Sequence, residues 1–185
     1  MNGNTVKNIK QDKISVFLID DHPIVRDGVS TFLDSQAISV LGTAADAPEA
    51  LRKLKSLKPD VIVLDVNLPS LDGWDLALRL RRLIPKAGII AFSIHSSEEY
   101  VVRMARSGAR GYVMKSQPTS ELLEGIRRVF RGEMYFPAGM ADSLLAAGVK
   151  KLPAKKKLSR SRLALTLPGL CRFKRPEQSP KSLPQ

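Results

Sequence analysis

Three stretches decide how this chain folds: LIDDH at residues 18–22, VLDVNLP at 63–69 and GYVMK at 111–115. Each contains an apolar run typical of a buried strand. Acids follow the apolar residues in the first two stretches, and a lysine follows them in the third. A fourth run, GIIAFS at 88–93, ends in a hydroxyl. If these runs are parallel neighbours in one sheet, their carboxyl ends meet in a single crevice. That crevice suits a divalent cation and a phosphoryl group, with Asp65 as the natural acceptor.

Strands and helices are predicted to alternate along the chain. Strands are expected at 14–19, 39–42, 61–64, 88–93 and 111–114, and helices at 23–33, 46–57, 74–83, 97–107 and 119–132. Pro23 suits the first turn of its helix, and Asp46 is expected to cap the next one. Alternating elements imply parallel βαβ units with right-handed crossovers, so the fold class is α/β.

Length and composition limit the class of protein. The chain has 185 residues, of which 43% are hydrophobic, so it suits one ordinary domain plus an extension. No apolar run approaches the length that a membrane helix needs, which predicts a cytoplasmic protein with no membrane contact. The single cysteine, Cys171, excludes an internal disulfide and a cysteine-based zinc cluster.

Positive charge is concentrated at the C-terminal end. Residues 150–185 contain 11 lysines and arginines against one acid, whereas residues 1–149 contain 19 against 17. A polycation of this kind binds phosphate backbones without sequence preference, and it is also typical of a solvated, disordered tail. Non-specific contact with DNA is therefore the most that the tail predicts.

The motifs resemble the receiver domain of two-component response regulators, over roughly residues 13–147. The stretches DDHP at 20–23, GY at 111–112 and GEMYF at 132–136 resemble the NarL/FixJ type in particular. The resemblance implies a flavodoxin-like, doubly wound sheet of five parallel strands in the order 2-1-3-4-5 with five flanking helices. It divides the chain into a polar leader, a receiver domain, a linker helix and a basic tail, at 1–12, 13–133, 134–150 and 151–185.

Neighbouring acids at the strand ends predict a magnesium site, because Mg²⁺ prefers oxygen ligands and needs few carboxylates. Asp21 and Asp65 are expected as direct ligands, and Asp20 is expected to act mainly through water. The resemblance adds the backbone carbonyl of Asn67 to this set.

Phosphoryl transfer to Asp65 is the expected chemistry, with an acyl phosphate as the product. Lys115 would neutralise charge on the phosphoryl oxygens, and Ser93 would donate a hydrogen bond to one of them. In the family the strand-4 hydroxyl moves and an aromatic side chain turns inward, and these positions correspond to Ser93 and Tyr112. The face expected to change comprises the helix from Ser97, the fifth strand and the last core helix.

The leading hypothesis is a response regulator that a sensor histidine kinase phosphorylates and that forms a phosphorylation-dependent homodimer. On this hypothesis the protein catalyses only its own phosphorylation and dephosphorylation. It derives from a DNA-binding transcriptional regulator whose output domain is missing or degraded here. One alternative is a stand-alone receiver that acts as an interaction module or phosphate sink. Another is a phosphatase of the haloacid dehalogenase type, although Asn67 stands where those enzymes carry a second aspartate.

The sequence predicts no specific role for the two histidines or for the tail. His22 could be imagined as a metal ligand or phosphoryl carrier, but its place between two acids and a proline is typical of a loop residue at the pocket rim. His95 is also expected near the mouth of the site. The tail contains LS at 158–159, which resembles the opening of a helix-turn-helix domain, but four later prolines exclude a long helix. Sequence-specific DNA binding is therefore not expected.

Overall fold

The computed structural model describes residues 13–69 and 71–149. The expected leader at 1–12 and the expected disordered basic tail at 151–185, with Cys171, lie outside the described residues. The strands are β1 (Ser15–Ile19), β2 (Ser39–Ala44), β3 (Val61–Asp65), β4 (Gly88–Ser93) and β5 (Gly111–Met114). The helices are α1 (Pro23–Ser35), α2 (Ala47–Lys53), α3 (Gly73–Leu83), α4 (Glu98–Arg106), α5 (Thr119–Phe130) and α6 (Ala141–Ala146).

The five strands form one parallel sheet in the order β2-β1-β3-β4-β5, which confirms the predicted fold. β3 and β4 are buried along their whole length, as expected for central strands of a sheet covered on both faces. The chain order reverses at β1, which pairs with β2 on one side and β3 on the other. The carboxyl ends of β1 and β3 therefore border the crevice where α/β proteins bind ligands.

Alternate residues along β1 pack into two separate apolar clusters, one on each face of the sheet. Phe17 and Ile19 of β1 belong to one core cluster, which also contains buried residues of α2, α3 and α4. Val16 and Leu18 belong to the other, which contains buried residues of α1 and α5. The period of two along the strand produces this division. Together the clusters hold the strand ends at fixed positions.

Helix α2 begins as predicted and ends earlier. The side chain of Asp46 accepts a hydrogen bond from the backbone N–H of Glu49 at 2.8 Å, and the Glu49 carboxylate accepts one from the N–H of Ala45 at 2.8 Å. This reciprocal pair caps the helix. The predicted end at residue 57 is wrong, because the backbone after Lys53 forms tighter turns such as the hydrogen bond from Ser56 N to Lys53 O.

The segment after α5 lies along the outer edge of the sheet. The backbone N–H of Tyr135 donates to the carbonyl of Arg110 at 2.9 Å, and the N–H of Tyr112 donates to the carbonyl of Tyr135 at 2.7 Å. The Tyr135 hydroxyl donates to a carboxylate oxygen of Glu121 on α5. A linker helix was predicted over 134–150. In the described part of that range, up to residue 149, Tyr135 first extends the sheet edge and the helix covers Ala141–Ala146, so it is shorter than predicted.

Helix α6 packs against α4. Its Leu144 is buried, and Nε of Arg106 on α4 donates to the carbonyl of Ala147 at 3.3 Å. Among the described residues, no helix has the length and apolar character needed to cross a bilayer.

Gly88 provides a test of how tightly α5 packs on β4. A Cβ atom at this position would lie 2.2 Å from Cγ1 of Val129. We expect Gly88→Ala to lower the free energy of unfolding by about 1–3 kcal/mol, measured by urea denaturation, because the buried interface is overpacked. Adding Val129→Ala should make the double variant less destabilised than the sum of the two single variants.

Gly28→Ala is the matched control. Gly28 lies on the exposed face of α1, and a Cβ there would meet nothing within 4 Å. This variant should be as stable as the wild type or more stable by about 0.5–1 kcal/mol, since alanine favours helices. Additive losses in the Gly88 and Val129 pair would contradict the proposed packing.

Candidate functional site

Four polar side chains meet at the carboxyl edge of the sheet. Asp20 directly follows β1, Asp65 is the last residue of β3, Ser93 is the last residue of β4, and Lys115 directly follows β5. Asp20 and Ser93 are completely buried and Asp65 is almost so. The strand register, rather than any local loop structure, brings these distant residues together.

Lys115 joins the two buried acids. Its Nζ lies 2.6 Å from Oδ2 of Asp65 and 2.7 Å from Oδ2 of Asp20. The two carboxylate side chains are 3% and 0% exposed, and that of Lys115 is 13% exposed. Two buried carboxylates that contact one cation lie close enough to repel one another, and the shared ammonium group offsets that repulsion.

The surroundings shift the pKa values of this ion pair. Burial raises the pKa of the Asp65 carboxyl, and hydrogen bonds from Lys115 and from the N–H of Asn67 offset only part of that rise. For Lys115 burial acts in the opposite direction, but hydrogen bonds to Asp20 and Asp65 outweigh it and raise the pKa of the ammonium group. Lys115 therefore stays charged at neutral pH.

The acids also fit a metal ion. One ligand atom from each of four residues lies within 4.8 Å of all the others: Asp20, Asp21, His22 and Asp65. Oδ2 of Asp20 is buried with Nζ of Lys115 at 2.7 Å, and Oδ1 of Asp21 is buried with Nδ1 of His22 at 2.9 Å, so each oxygen keeps a lone pair that these contacts do not use. Buried carboxylate oxygens with free lone pairs are suited to a hard divalent cation.

Asn67 lies at the rim of this group. Its backbone N–H donates to Oδ1 of Asp65 at 2.9 Å, and its side-chain Nδ2 lies 2.9 Å from Nε2 of His95. The loop after β3 is thus tied both to the acid and to the loop after β4. The sequence predicted a role only for the backbone of Asn67, and its side-chain contact was missed.

A second set of contacts surrounds the strand-4 hydroxyl. The N–H of His95 donates to Oγ of Ser93 at 3.1 Å, and the hydroxyl of Tyr112 donates to the carbonyl of His95 at 2.7 Å. Tyr112 is only 1% exposed, so its side chain already points inward in this structure. Burial, as the largest cause, raises the pKa of the Tyr112 hydroxyl.

His95 is the residue of this set that sequence reasoning left without a role. Besides its contacts to Asn67, Ser93 and Tyr112, its ring stacks on that of Tyr100 in α4, with centroids 4.2 Å apart. Its position two residues after a strand end was the only available signal. That signal indicates nearness to the site but no particular contact.

Comparisons with known proteins agree with this geometry. Residues 16–127 match the family described as the response regulator receiver domain. The chain is 36% identical over 143 residues to the transcriptional regulatory protein MctR of Rhizobium johnstonii, covering 77% of this chain and 67% of MctR. It is 34% identical over 134 residues to the oxygen regulatory protein NreC of Staphylococcus haemolyticus, covering 71% of this chain and 62% of NreC.

A solved structure shows the same fold. The crystal structure of a two-component response regulator of the LuxR family from Aurantimonas sp. SI85-9A1 superposes with a TM-score of 0.67 at 30% identity. The match covers 75% of this chain and 99% of that one. By contrast, the alignments span about two thirds or less of the length of the curated relatives.

Replacing the shared ammonium group tests the electrostatics of the site. We expect Lys115→Met to lower the free energy of unfolding by about 3 kcal/mol without added metal, because two buried carboxylates lose their counter-charge. MgCl₂ should restore more stability to this variant than to the wild type, since a divalent cation replaces the missing charge. Urea denaturation with and without MgCl₂ measures both effects.

Lys53→Met is the control. Lys53 pairs with Glu49 at 2.8 Å on the surface of α2, where both side chains are partly exposed. This variant should lose about 1 kcal/mol or less and show no extra response to MgCl₂. Equal stabilisation of the wild type and Lys115→Met by MgCl₂ would contradict the assignment.

Proposed function

The chain belongs to the response regulator receiver family of two-component systems, of the NarL/LuxR type, and we propose that it accepts a phosphoryl group on Asp65 from a sensor histidine kinase. The observation that carries this proposal is the position of the Asp65 carboxylate. It ends a central strand, lies beside Asp20, and contacts the ammonium group of Lys115 at 2.6 Å. A nucleophile and a charge-stabilising cation are thereby fixed on one edge of the sheet.

The transfer forms one bond and breaks one. A carboxylate oxygen of Asp65 attacks phosphorus of the phosphohistidine, and the bond between phosphorus and the imidazole nitrogen breaks. That nitrogen keeps the electron pair, and Asp65 becomes an acyl phosphate. Lys115 stabilises negative charge on the phosphoryl oxygens, and the buried hydroxyl of Ser93 is placed to donate to one of them after a small movement.

The acids are proposed to hold Mg²⁺, through Asp21 and Asp65 directly, through Asp20 by way of water, and through the backbone carbonyl of Asn67. When bound, the ion would neutralise charge on the acids and on the incoming phosphoryl group. The buried acceptor oxygens of Asp20 and Asp21 support this set.

Ser93 and Tyr112 are proposed to carry the signal away from Asp65. They meet at the backbone of His95, in the loop that leads into α4. A movement of the Ser93 hydroxyl toward a phosphoryl group would break its bond to the His95 N–H. The surface formed by α4, β5 and α5 would then change, and we propose that it changes the pairing of two copies of the chain.

The kind of output separates two remaining hypotheses. The relatives MctR and NreC are regulatory proteins, and this chain spans about two thirds of their length. A role in transcriptional regulation, like that named for MctR, is therefore the first hypothesis, and a stand-alone receiver or phosphate sink is the second. Membership of the receiver family disfavours the haloacid dehalogenase alternative.

Asp65→Asn tests the acceptor. Wild-type protein treated with acetyl phosphate and MgCl₂ should gain one phosphoryl group by intact mass spectrometry, and the variant should gain none because an amide oxygen is a poor nucleophile. Asp34→Asn, which changes an exposed acid at the end of α1, should be labelled like the wild type. Labelling of Asp65→Asn at the wild-type rate would exclude Asp65 as the acceptor.

Sedimentation equilibrium tests the proposed homodimer. The phosphorylated chain should show a higher weight-average mass than the untreated chain, because the changed α4-β5-α5 surface favours association. The weight-average mass of Asp65→Asn should not change on treatment with acetyl phosphate. An unchanged mass for fully phosphorylated protein would contradict phosphorylation-dependent pairing while leaving the acceptor assignment intact.

A further inference from the structure

His22 lies against the acids at the mouth of the site. Its Nδ1 atom is 2.9 Å from Oδ1 of Asp21 and 3.3 Å from Oδ1 of Asp20. Its side chain is 65% exposed, whereas that of Asp20 is completely buried, so the ring lies on the solvent side of this acid. Sequence reasoning placed His22 at the rim, and the structure adds that Nδ1 lies against Oδ1 of Asp21, one of the two buried oxygens that suit a cation, and against Oδ1 of Asp20.

The backbone fixes this position. The N–H of His22 donates to Oδ1 of Asp20 at 2.9 Å, and Pro23 begins α1 directly afterwards. With the backbone fixed on both sides, the ring reaches the acids through its two side-chain torsions alone. A ligand held in this way loses little conformational freedom when it binds a metal.

The distances agree with coordination of a common ion. In an octahedral site with bonds of about 2.1 Å, adjacent ligand atoms lie about 3.0 Å apart and opposite ones about 4.2 Å apart. Nδ1 lies at the adjacent spacing from Asp21, and all four ligand atoms lie within 4.8 Å of one another. Small side-chain movements would close the group onto one ion.

We propose that Nδ1 of His22 is an additional metal ligand, so that the site binds imidazole-seeking divalent transition metals in preference to Mg²⁺. This inference rests on the proposed metal site and adds its selectivity. Imidazole nitrogen favours ions such as Co²⁺, Ni²⁺ and Zn²⁺, whereas Mg²⁺ prefers oxygen. The metal takes the lone pair of Nδ1, any proton on that nitrogen passes to water, and the ring keeps its proton on Nε2.

Metal titrations of the whole chain test the proposal. Isothermal titration calorimetry at one fixed pH measures Kd for MgCl₂ and for CoCl₂ in the wild type, His22→Gln and His22→Ala. Both substitutions should weaken Co²⁺ binding by about tenfold or more and change Mg²⁺ binding by less than about twofold. Asp34→Asn, which changes an exposed acid at the end of α1, should leave the ratio of the two affinities unchanged.

Proton NMR of the Co²⁺ form supplies a second readout. A coordinated imidazole should give a strongly shifted, exchangeable N–H resonance that disappears in His22→Gln and persists in His95→Gln. His22 is exposed, so its replacement should not prevent folding.

The outcomes separate this inference from the proposed function. If the His22 variants weaken Co²⁺ and Mg²⁺ binding equally, His22 gives the site no selectivity, and if they weaken neither, His22 is not a ligand. In both cases the inference fails, while the magnesium site stands. If the wild type binds neither ion and Asp65→Asn is indistinguishable from it, the metal site itself is wrong. Loss of Co²⁺ affinity alone, with loss of the shifted resonance, supports the inference.

Discussion

The contact of one ammonium group with two buried carboxylates is the constraint on which the site depends. Asp20 and Asp65 lie at the ends of different strands and are nearly inaccessible to water, and Lys115 contacts both, so its charge offsets the repulsion between the two carboxylates. The three residues are separated by up to 95 positions in the chain, and only the register of the parallel sheet brings them together. The fold and the chemistry are therefore coupled: a slip of one residue in β3 would direct Asp65 away from Lys115.

The strands and the site acids could be predicted because their signals are local and strong. Runs such as 61–65 are continuously apolar and end in an acid, and their order along the chain matches the receiver family. The sheet order itself came from resemblance, and the observed pairing confirms it. The principal site residues were named correctly as neighbours because the carboxyl ends of parallel strands must meet.

The remaining features depend on contacts that a sequence does not encode locally. The end of α2 depends on where the chain must turn back toward β3, so the apolar pattern overestimated its length. The side chain of His95 contacts Asn67 in a separate loop and stacks on Tyr100 of α4, while its backbone bonds to Ser93 and Tyr112, and no local pattern in the sequence predicts this combination. The segment containing Tyr135 was expected to be helical because it lies in a linker, yet the free edge of β5 offers it hydrogen bonds that a helix there would forgo.

The pairing of Tyr135 with β5 affects how readily another extended chain could add to this edge of the sheet. An exposed edge strand is a template onto which another extended chain can add, which is a common route to aggregation. On the β5 side, the backbone of Tyr135 already occupies two of the outward hydrogen-bonding groups, the N–H of Tyr112 and the carbonyl of Arg110. Among the described residues, only the β2 side of the sheet remains without a paired neighbour, and Gly42 and Thr43 interrupt its apolar character. Addition of another extended chain at the edge next to the proposed switch surface would therefore have to displace Tyr135 first.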